Sequence, residues 1–365
     1  MRVLVVNAGS SSLKLSLLDE RDALLDEREL DAPRARIDPD ELRAGLAGGL
    51  AEADAVGHRI VHGGERFEGP VPIDGEVERA LRELIELAPL HQPKSLAALD
   101  AVGAALPAVP AVACFDTAFH ATMPASARTF ALPAEWRERW GLRRYGFHGL
   151  SHQWVARRAP RLLERPVEGL RLVSCHLGAG ASLCAIADGE SRDTTMGFTP
   201  LDGLVMATRS GSVDPGMLLW LAERERVPPH ELAEALEHRS GLLGLCGTAD
   251  MREVLARAER GDARAELALA VYLRSLRAAI AAMSAALGGL DALVFTGGVG
   301  ERAAAVRERT CDGLGFLGVS IDHARNGALD GDGVISSPGA DVATLVIAAR
   351  EDREIARQVR ATLGG

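Results

Sequence analysis

Asn7-Ala8-Gly9-Ser10-Ser11-Ser12-Leu13-Lys14 follows directly on the apolar run Val3-Leu4-Val5-Val6, and the reading of this stretch decides the fold. A short Val- and Leu-rich run closed by Gly and Ser predicts a buried strand ending in a turn, with Leu13–Leu18 returning as a second strand. Glycine lets a backbone approach an anion, hydroxyls and amides donate to it, and Lys14 supplies a positive charge. A Gly-Ser turn alone is equally an ordinary hairpin; Asn7 and Lys14 are what point toward phosphate. It is not a Walker A loop, because no GxxxxGK[ST] occurs, and neither does an HRD or DFG set. The same order of features returns half a chain later. Arg171–Cys175 reads as a strand, His176-Leu177-Gly178-Ala179-Gly180 as a turn and Ala181–Ala187 as a strand, with Ser182-Leu183 matching Ser12-Leu13. Two copies of one hairpin predict an internally duplicated α/β fold with its ligand in the cleft between the halves.

Outward from these hairpins, short β-rich runs alternate with longer amphipathic stretches, the α/β pattern. Residues 20–56 are rich in Arg, Asp, Glu and Ala and read as surface helix and loop. Glu76–Leu87 predicts an amphipathic helix ended by Pro89, and Ala111–Phe115 a strand followed at once by Asp116-Thr117. A second half opens near residue 145. Residues 264–288 predict a long Ala/Leu/Arg helix, and Leu290–Thr296 a buried strand running into Gly297-Gly298-Val299-Gly300-Glu301. A last strand, Ala343–Ala348, meets Arg350-Glu351-Asp352 and a closing helix. No low-complexity linker separates the halves, so tightly joined domains are expected.

At 365 residues the chain is long for one core and natural for two domains. Hydrophobic residues make up 47% and charged ones 25%, the balance of a soluble globular protein; with aromatics at 4%, the core falls to Ala, Leu, Val and Ile. A formal charge of −10 argues against nucleic-acid or anionic-membrane partners, since no net positive field attracts polyanions. The opening apolar run is too short for a signal or a membrane span. The five cysteines form no CxxC pair and sit mostly in apolar runs, which reads as reduced buried thiols in a cytoplasmic protein.

Four further clusters gather polar residues where an apolar strand ends: Gly57–Glu65 (GHRIVHGGE), Phe115–His120 (FDTAFH), Tyr145–Gly149 (YGFHG) and Thr208–Gly211 (TRSG). Strand ends of open α/β sheets are where ligands bind. Each cluster alone could be structural, an Arg in a salt bridge or a His satisfied in a turn. Together they supply Arg, Arg, His and Asp. Phosphoryl transfer to a carboxylate needs that set: cationic donors around the transferring group and a carboxylate near Mg2+, with little covalent chemistry from the protein.

These motifs make the chain resemble the acetokinase family of the acetate and sugar kinase, Hsp70 and actin superfamily. The resemblance runs essentially end to end, thinning over residues 20–56. It rests on Asn7–Lys14 (NAGSSSLK), Gly57–Glu65, Leu87–Pro93 (LAPLHQP), Phe115–Pro124 (FDTAFHATMP), Tyr145–His152 (YGFHGLSH), His176–Ser182 (HLGAGAS), Asp193–Pro215 (DTTMGFTPLDGLVMATRSGSVDP), Ser240–Leu245 (SGLLGL) and Phe295–Glu301 (FTGGVGE). It implies two similar α/β domains of the actin-like ATPase (ribonuclease H-like) type with an interdomain cleft. The expected domains are 1–145, completed by a C-terminal helix at about 350–365, and 146–349. It also implies reversible transfer between ATP and acetate giving ADP and acetyl phosphate, with Mg2+ or Mn2+ as cofactor, a homodimer, and a cytoplasmic setting.

Residue by residue, the resemblance implies that Asn7 and Glu351 help hold the metal while Lys14 and Ser12 face the phosphates. Arg59 and Arg209 would grip the carboxylate and the in-flight phosphoryl group. His148 would stabilise the transition state with His91 nearby, and Asp116 would orient substrate or metal. His176, Leu177, Gly178, Ala179 and Gly180, then Asp250, Met251 and Arg252, then Gly297, Gly298, Val299, Gly300 and Glu301 would form the nucleotide site. Val61, Leu90, Phe147 and Pro200 would line the pocket for the acyl methyl. The sequence departs from the family's pattern at Ala179 (usually Asn), Gln92 (Asn), Ala207 (Gly), Ser212 (Asp) and Arg302 (Asn). None of these removes a charged catalytic residue; they bear on nucleotide affinity and acyl preference. A propionate kinase is the near alternative. A butyrate kinase fits less well, because the first loop reads Gly-Ser-Ser-Ser rather than Gly-Ser-Thr-Ser. An actin- or Hsp70-like nucleotide switch is the alternative of another class. It predicts no acid-dependent ADP formation and leaves Arg59, Arg209 and His148 without a purpose.

Overall fold

A computed structural model describes residues 1–8, 12–31, 39–46, 48–86 and 92–364. The chain divides into two compact units, Met1–Ala121 with Phe147–Trp154 and Arg350–Gly365, and Thr122–Gly146 with Val155–Ala349. Residues 122–146, expected in the first domain from sequence, thus belong to the second unit, and the short segment 147–154 belongs to the first.

The first unit is built on strands β1 (Val3–Ala8), β2 (Ser12–Leu18), β3 (Leu24–Asp31), β4 (Ala55–Ile60), β5 (Val71–Pro72) and β6 (Ala111–Phe115). They form one sheet in the order β3-β2-β1-β4-β6-β5, in which β1, β4 and β6 run parallel and the remaining pairings are antiparallel. The second unit has β7 (Arg171–Leu177), β8 (Ala181–Ala187), β9 (Glu190–Thr194), β10 (Ala292–Thr296), β11 (Gly333–Val334) and β12 (Ala343–Val346). Its order, β9-β8-β7-β10-β12-β11, repeats the first sheet strand for strand, with the same parallel core and antiparallel flanks. The echo between the two hairpins is therefore a duplication of the whole sheet.

Residues 20–56 depart from their reading as surface helix and loop. Leu24–Asp31 is an eight-residue edge strand paired along β2, and only Pro39–Leu46 and Gly49–Glu52 are helical. The strand carries charge on both exposed faces, so no period-2 apolar pattern marks it. Charge is also what keeps an edge strand from recruiting another.

In β1, β4 and β6 one face is apolar until each strand's C-terminal end. Val3 and Val5, Ala55, and Val112 and Cys114 pack with Ile355, Ala356 and Val359 of the closing helix Glu351–Leu363. Gly57 lies on this face where no side chain fits, since an added Cβ would stand 2.5 Å from Ile355 Cγ2. Each buried Val or Ile here contributes roughly 1.5–3 kcal/mol. That burial fixes the helix on the sheet, with Glu351 in its first turn at the strand ends. The opposite face packs Leu4, Val6 and Val56 against Ala98 and Val102 of the helix Gln92–Ala105.

In the second unit the helix Ala263–Ala286 is long and apolar enough to cross a membrane by length and composition. Its buried residues, among them Leu269, Tyr272, Leu273, Leu276 and Ile280, repeat at helical spacing and pack toward β7, β8 and neighbouring helices. It is the central helix of that unit's core. All five cysteines are buried and free, as the sequence implied.

Candidate active site

The polar residues that end the parallel strands of the first unit come together. Arg59, at the end of β4, donates from Nε to both oxygens of Asp116 (3.2 and 3.1 Å) and from Nη2 to Oδ2 (2.6 Å). Asp116 follows β6 directly. Arg59 Nη1 donates to Asn7 Oδ1 in β1 (3.0 Å), and Asn7 Nδ2 donates to Glu351 Oε2 (3.2 Å), which also lies 3.7 Å from Arg59 Nη1. Four residues from four distant segments thus form one chain of contacts. Because strand side chains alternate, the last residue of each parallel strand on the apolar face is the one that can turn polar at the sheet's carboxyl edge.

Burial makes this cluster electrostatically stiff. The Asp116 side chain is 2% exposed and that of Arg59 16%. Loss of hydration pushes the Asp116 carboxyl upward, while Arg59 pulls it back toward the ionised form; the guanidinium itself is held charged by Asp116 and Glu351. A bidentate Arg–carboxylate pair is the geometry that compensates such burial. The peptide of Asp116 is pinned as well. Its carbonyl accepts from Gly149 N (2.8 Å), and a Cβ on Gly149 would come within 2.1 Å of that oxygen. Asp116 is therefore not a surface acid capping a helix.

His148 immediately precedes Gly149 and adopts a left-handed backbone, φ 57°, uncommon for a non-glycine residue and often found at functional sites. Phe147 beside it is buried, its carbonyl 3.0 Å from His120 Nε2 and its ring edge-on to His62 at 5.6 Å. Val61 is buried too. Lys14 stands directly opposite Asn7 in the β1–β2 register, with its ammonium paired to Glu27 of β3 at 2.9 Å. His91 and Leu90 lie outside the described residues, as do the side chain of Ser12 and the loop Gly9-Ser10-Ser11.

The second unit holds a cavity of about 590 Å³. Three segments expected to form a nucleotide site converge on it: Gly178 and Ala179 from the turn after β7, Asp250, Met251 and Arg252, and Gly298 and Val299. His176, Leu177, Gly180, Gly297, Gly300 and Glu301 do not line it. Gly297 serves it indirectly, with φ 77° and an added Cβ meeting the backbone of Leu177 at 2.9–3.0 Å, so only glycine turns β10 into the next helix this close to β7. Asp250 caps the helix Met251–Glu259 through Arg252 N (2.9 Å) and pairs with the Arg252 guanidinium (2.6 Å). Those bonds to Arg252 hold its carboxyl down at about 2. Arg252 is 90% exposed.

Sequence reasoning missed Leu242, Tyr272 and Arg302 on this cavity wall. Tyr272 sits inside a helix that reads as Ala/Leu/Arg scaffold, and its being one of two tyrosines in the chain was the only signal available. Arg209, also in the second unit, pairs through Nε with Glu237 Oε1 at 2.7 Å and donates from Nη1 to the carbonyl of Pro200 (3.3 Å). Glu237, 7% exposed, lies outside every motif quoted above. Of the departures, Ala179 and Ala207 face the cavity, and Ser212 Oγ donates to Asp202 at 2.6 Å.

Comparison with known proteins agrees with this geometry. The family model described as the acetokinase family matches residues 39–357. The chain is 43% identical to the acetate kinase of Acetivibrio thermocellus over 98% of each protein, and 43% identical to that of Dictyoglomus thermophilum over the full length of both. Among solved structures it superposes on Porphyromonas gingivalis acetate kinase with a TM-score of 0.91 at 36% identity, over 99% of both chains. A propionate kinase from Francisella tularensis gives the same TM-score at 35% identity over 99% of both chains. With a duplicated sheet, an Arg–Asp pair at its carboxyl edge and near-complete alignment to these relatives, the chain belongs to the acetokinase family.

Proposed function

We propose that the protein is an ATP:acetate phosphotransferase, interconverting ATP and acetate with ADP and acetyl phosphate. The observation that carries the reading, within the family assignment, is the Arg59–Asp116–Asn7–Glu351 cluster at the sheet's carboxyl edge. An acetate oxygen attacks the γ-phosphorus as the bond from that phosphorus to the ADP oxygen breaks. The nucleophile is already ionised at neutral pH, so no general base is required. What the step requires is positive charge and alignment. Arg59 and Arg209 supply planar, preorganised donors to the carboxylate and the in-flight phosphoryl group, and His148 a further donor. Asp116, locked to Arg59, acts as an orienting carboxylate.

Asn7 and Glu351 offer only oxygen donors suited to a hard cation. Among the described residues no group of three His, Cys, Asp or Glu could hold a metal. That suits Mg2+, which takes most of its ligands from phosphate and water. Bound there, Mg2+ would neutralise charge on the β- and γ-phosphates.

The cavity around Gly178, Asp250 and Val299 is assigned to the nucleotide, and Val61, Phe147, Leu90 and Pro200 to the acyl group. The five buried free thiols support a reducing, cytoplasmic setting. A homodimer is supported by the helix Pro215–Glu223, which buries none of its residues while Leu219 and Trp220 are 61% and 50% exposed. The equal similarity to a propionate kinase favours propionate as the second reading. One assay decides: ATP with acetate, propionate or butyrate in hydroxylamine, which traps acyl phosphates. Acetate is expected to give the highest kcat/KM. ADP formation independent of any acid would overturn the proposal.

A further inference from the structure

A second cavity, of about 620 Å³, opens in the first unit against β4. Its wall includes His58, which precedes Arg59 and so points to the other face of the strand. His58 is 2% exposed, and its Nδ1 is buried without a hydrogen-bond partner. Native interiors seldom keep such an atom unmatched, and where they do a missing ligand or water is a common reason.

The rest of the wall says which chemistry would match it. Glu78 and Asp100 contribute carboxylates, the latter paired with Arg82 at 2.6 Å, and neither Lys nor Arg lines the cavity. Leu99 and Val109 add apolar surface. Burial pushes the imidazole down to about 4, so at neutral pH it is uncharged and keeps one lone pair to accept a hydrogen bond. A wall with carboxylates, a neutral acceptor and hydrocarbon suits a cation with an apolar body, and disfavours anions such as the reaction's own substrates.

We propose that this cavity is a binding site for a small organic ammonium compound, its charged head donating to His58 and Glu78 and its hydrocarbon part resting on Leu99 and Val109. The site is separate from the Arg59 cluster and does not depend on the proposed reaction.

Gly103 provides the test. It lines the cavity within the helix Gln92–Ala105, and a Cβ built on it meets nothing within 4 Å. Gly103→Leu should fill the space without strain and leave phosphoryl transfer unchanged. Benzylammonium is titrated into the full-length protein by calorimetry, with benzyl alcohol and benzoate as neutral and anionic counterparts. Saturable benzylammonium binding is expected, weakened at least about tenfold by Gly103→Leu and about fivefold by Glu78→Gln, the size of one partly exposed ionic contact. His58→Leu, checked for an intact unfolding transition, should weaken it as well. Absence of saturable binding, equal binding by Gly103→Leu, or benzoate binding as tightly as benzylammonium would each overturn the proposal.

Discussion

Arg59→Lys isolates geometry from charge at the centre of the candidate active site. The wild-type guanidinium makes three contacts to Asp116 and one to Asn7. A lysine ammonium keeps the positive charge but has no fork, so it can hold one carboxylate oxygen and must give up Asn7 or the second oxygen. Each charge-assisted bond is worth about 1.5–3 kcal/mol, and the remaining ionic attraction offsets part of the loss. A fall of roughly 2–4 kcal/mol in unfolding free energy is expected. Turnover should fall more than stability alone would dictate, by about 10²-fold or more, as when one preorganised donor is removed from a developing negative charge. Two measurements separate the effects: urea unfolding for stability, and hydroxylamine-trapped acetyl phosphate at 25 °C, where the variant remains folded, for turnover. A variant that loses stability yet keeps turnover within about threefold of wild type would show that Arg59 only ties the strands together. A variant unchanged in both would refute the geometry itself. Arg209→Lys should behave the same way, with Glu237 as the partner left singly bonded.

Asp116→Asn and Glu351→Gln should each lower turnover and raise the Mg2+ concentration needed for half-maximal rate; unchanged rate and metal dependence in both would reject their roles. Val61→Ala should improve propionate and butyrate relative to acetate, chiefly through KM, since one methylene is worth about 1–3 kcal/mol in an apolar pocket. A parallel loss on all three acids would mark Val61 as packing only. His58 predicts a pH dependence of folding. Its pKa drops from 6.5 unfolded to about 4 folded, so between those values the unfolded chain binds more protons and stability must fall as pH falls. The full shift is worth roughly 3 kcal/mol at about 1.4 per unit. In urea titrations from pH 7 to 4, His58→Leu should show a shallower loss than wild type, and an identical slope would refute the assignment.

Local sequence determined a good deal by itself. A strand closed by Gly and Ser is legible because the turn's chemistry lies within a few residues, and both hairpins, β4, β6 and the closing helix follow from such signals. The motifs around Arg59, Asp116, His148 and Gly297 were likewise visible, because each joins an apolar run to a polar end. What stayed hidden depends on neighbours far along the chain. The edge strand Leu24–Asp31 is held by pairing with β2, and its charged composition reads as helix or loop until that partner is in place. Glu237 and Tyr272 carry no local mark, and only packing brings one to Arg209 and the other to the wall of the nucleotide cavity. The sequence could name Arg59 and Asp116 as candidates, but not show that they form one bidentate pair. Their contact spans 57 positions and exists because β4 and β6 lie parallel, side by side, ending at one edge. The residue types were fixed by the chain, while their distances, burial and partners were decided by the sheet, since side-chain direction is local and strand adjacency is not.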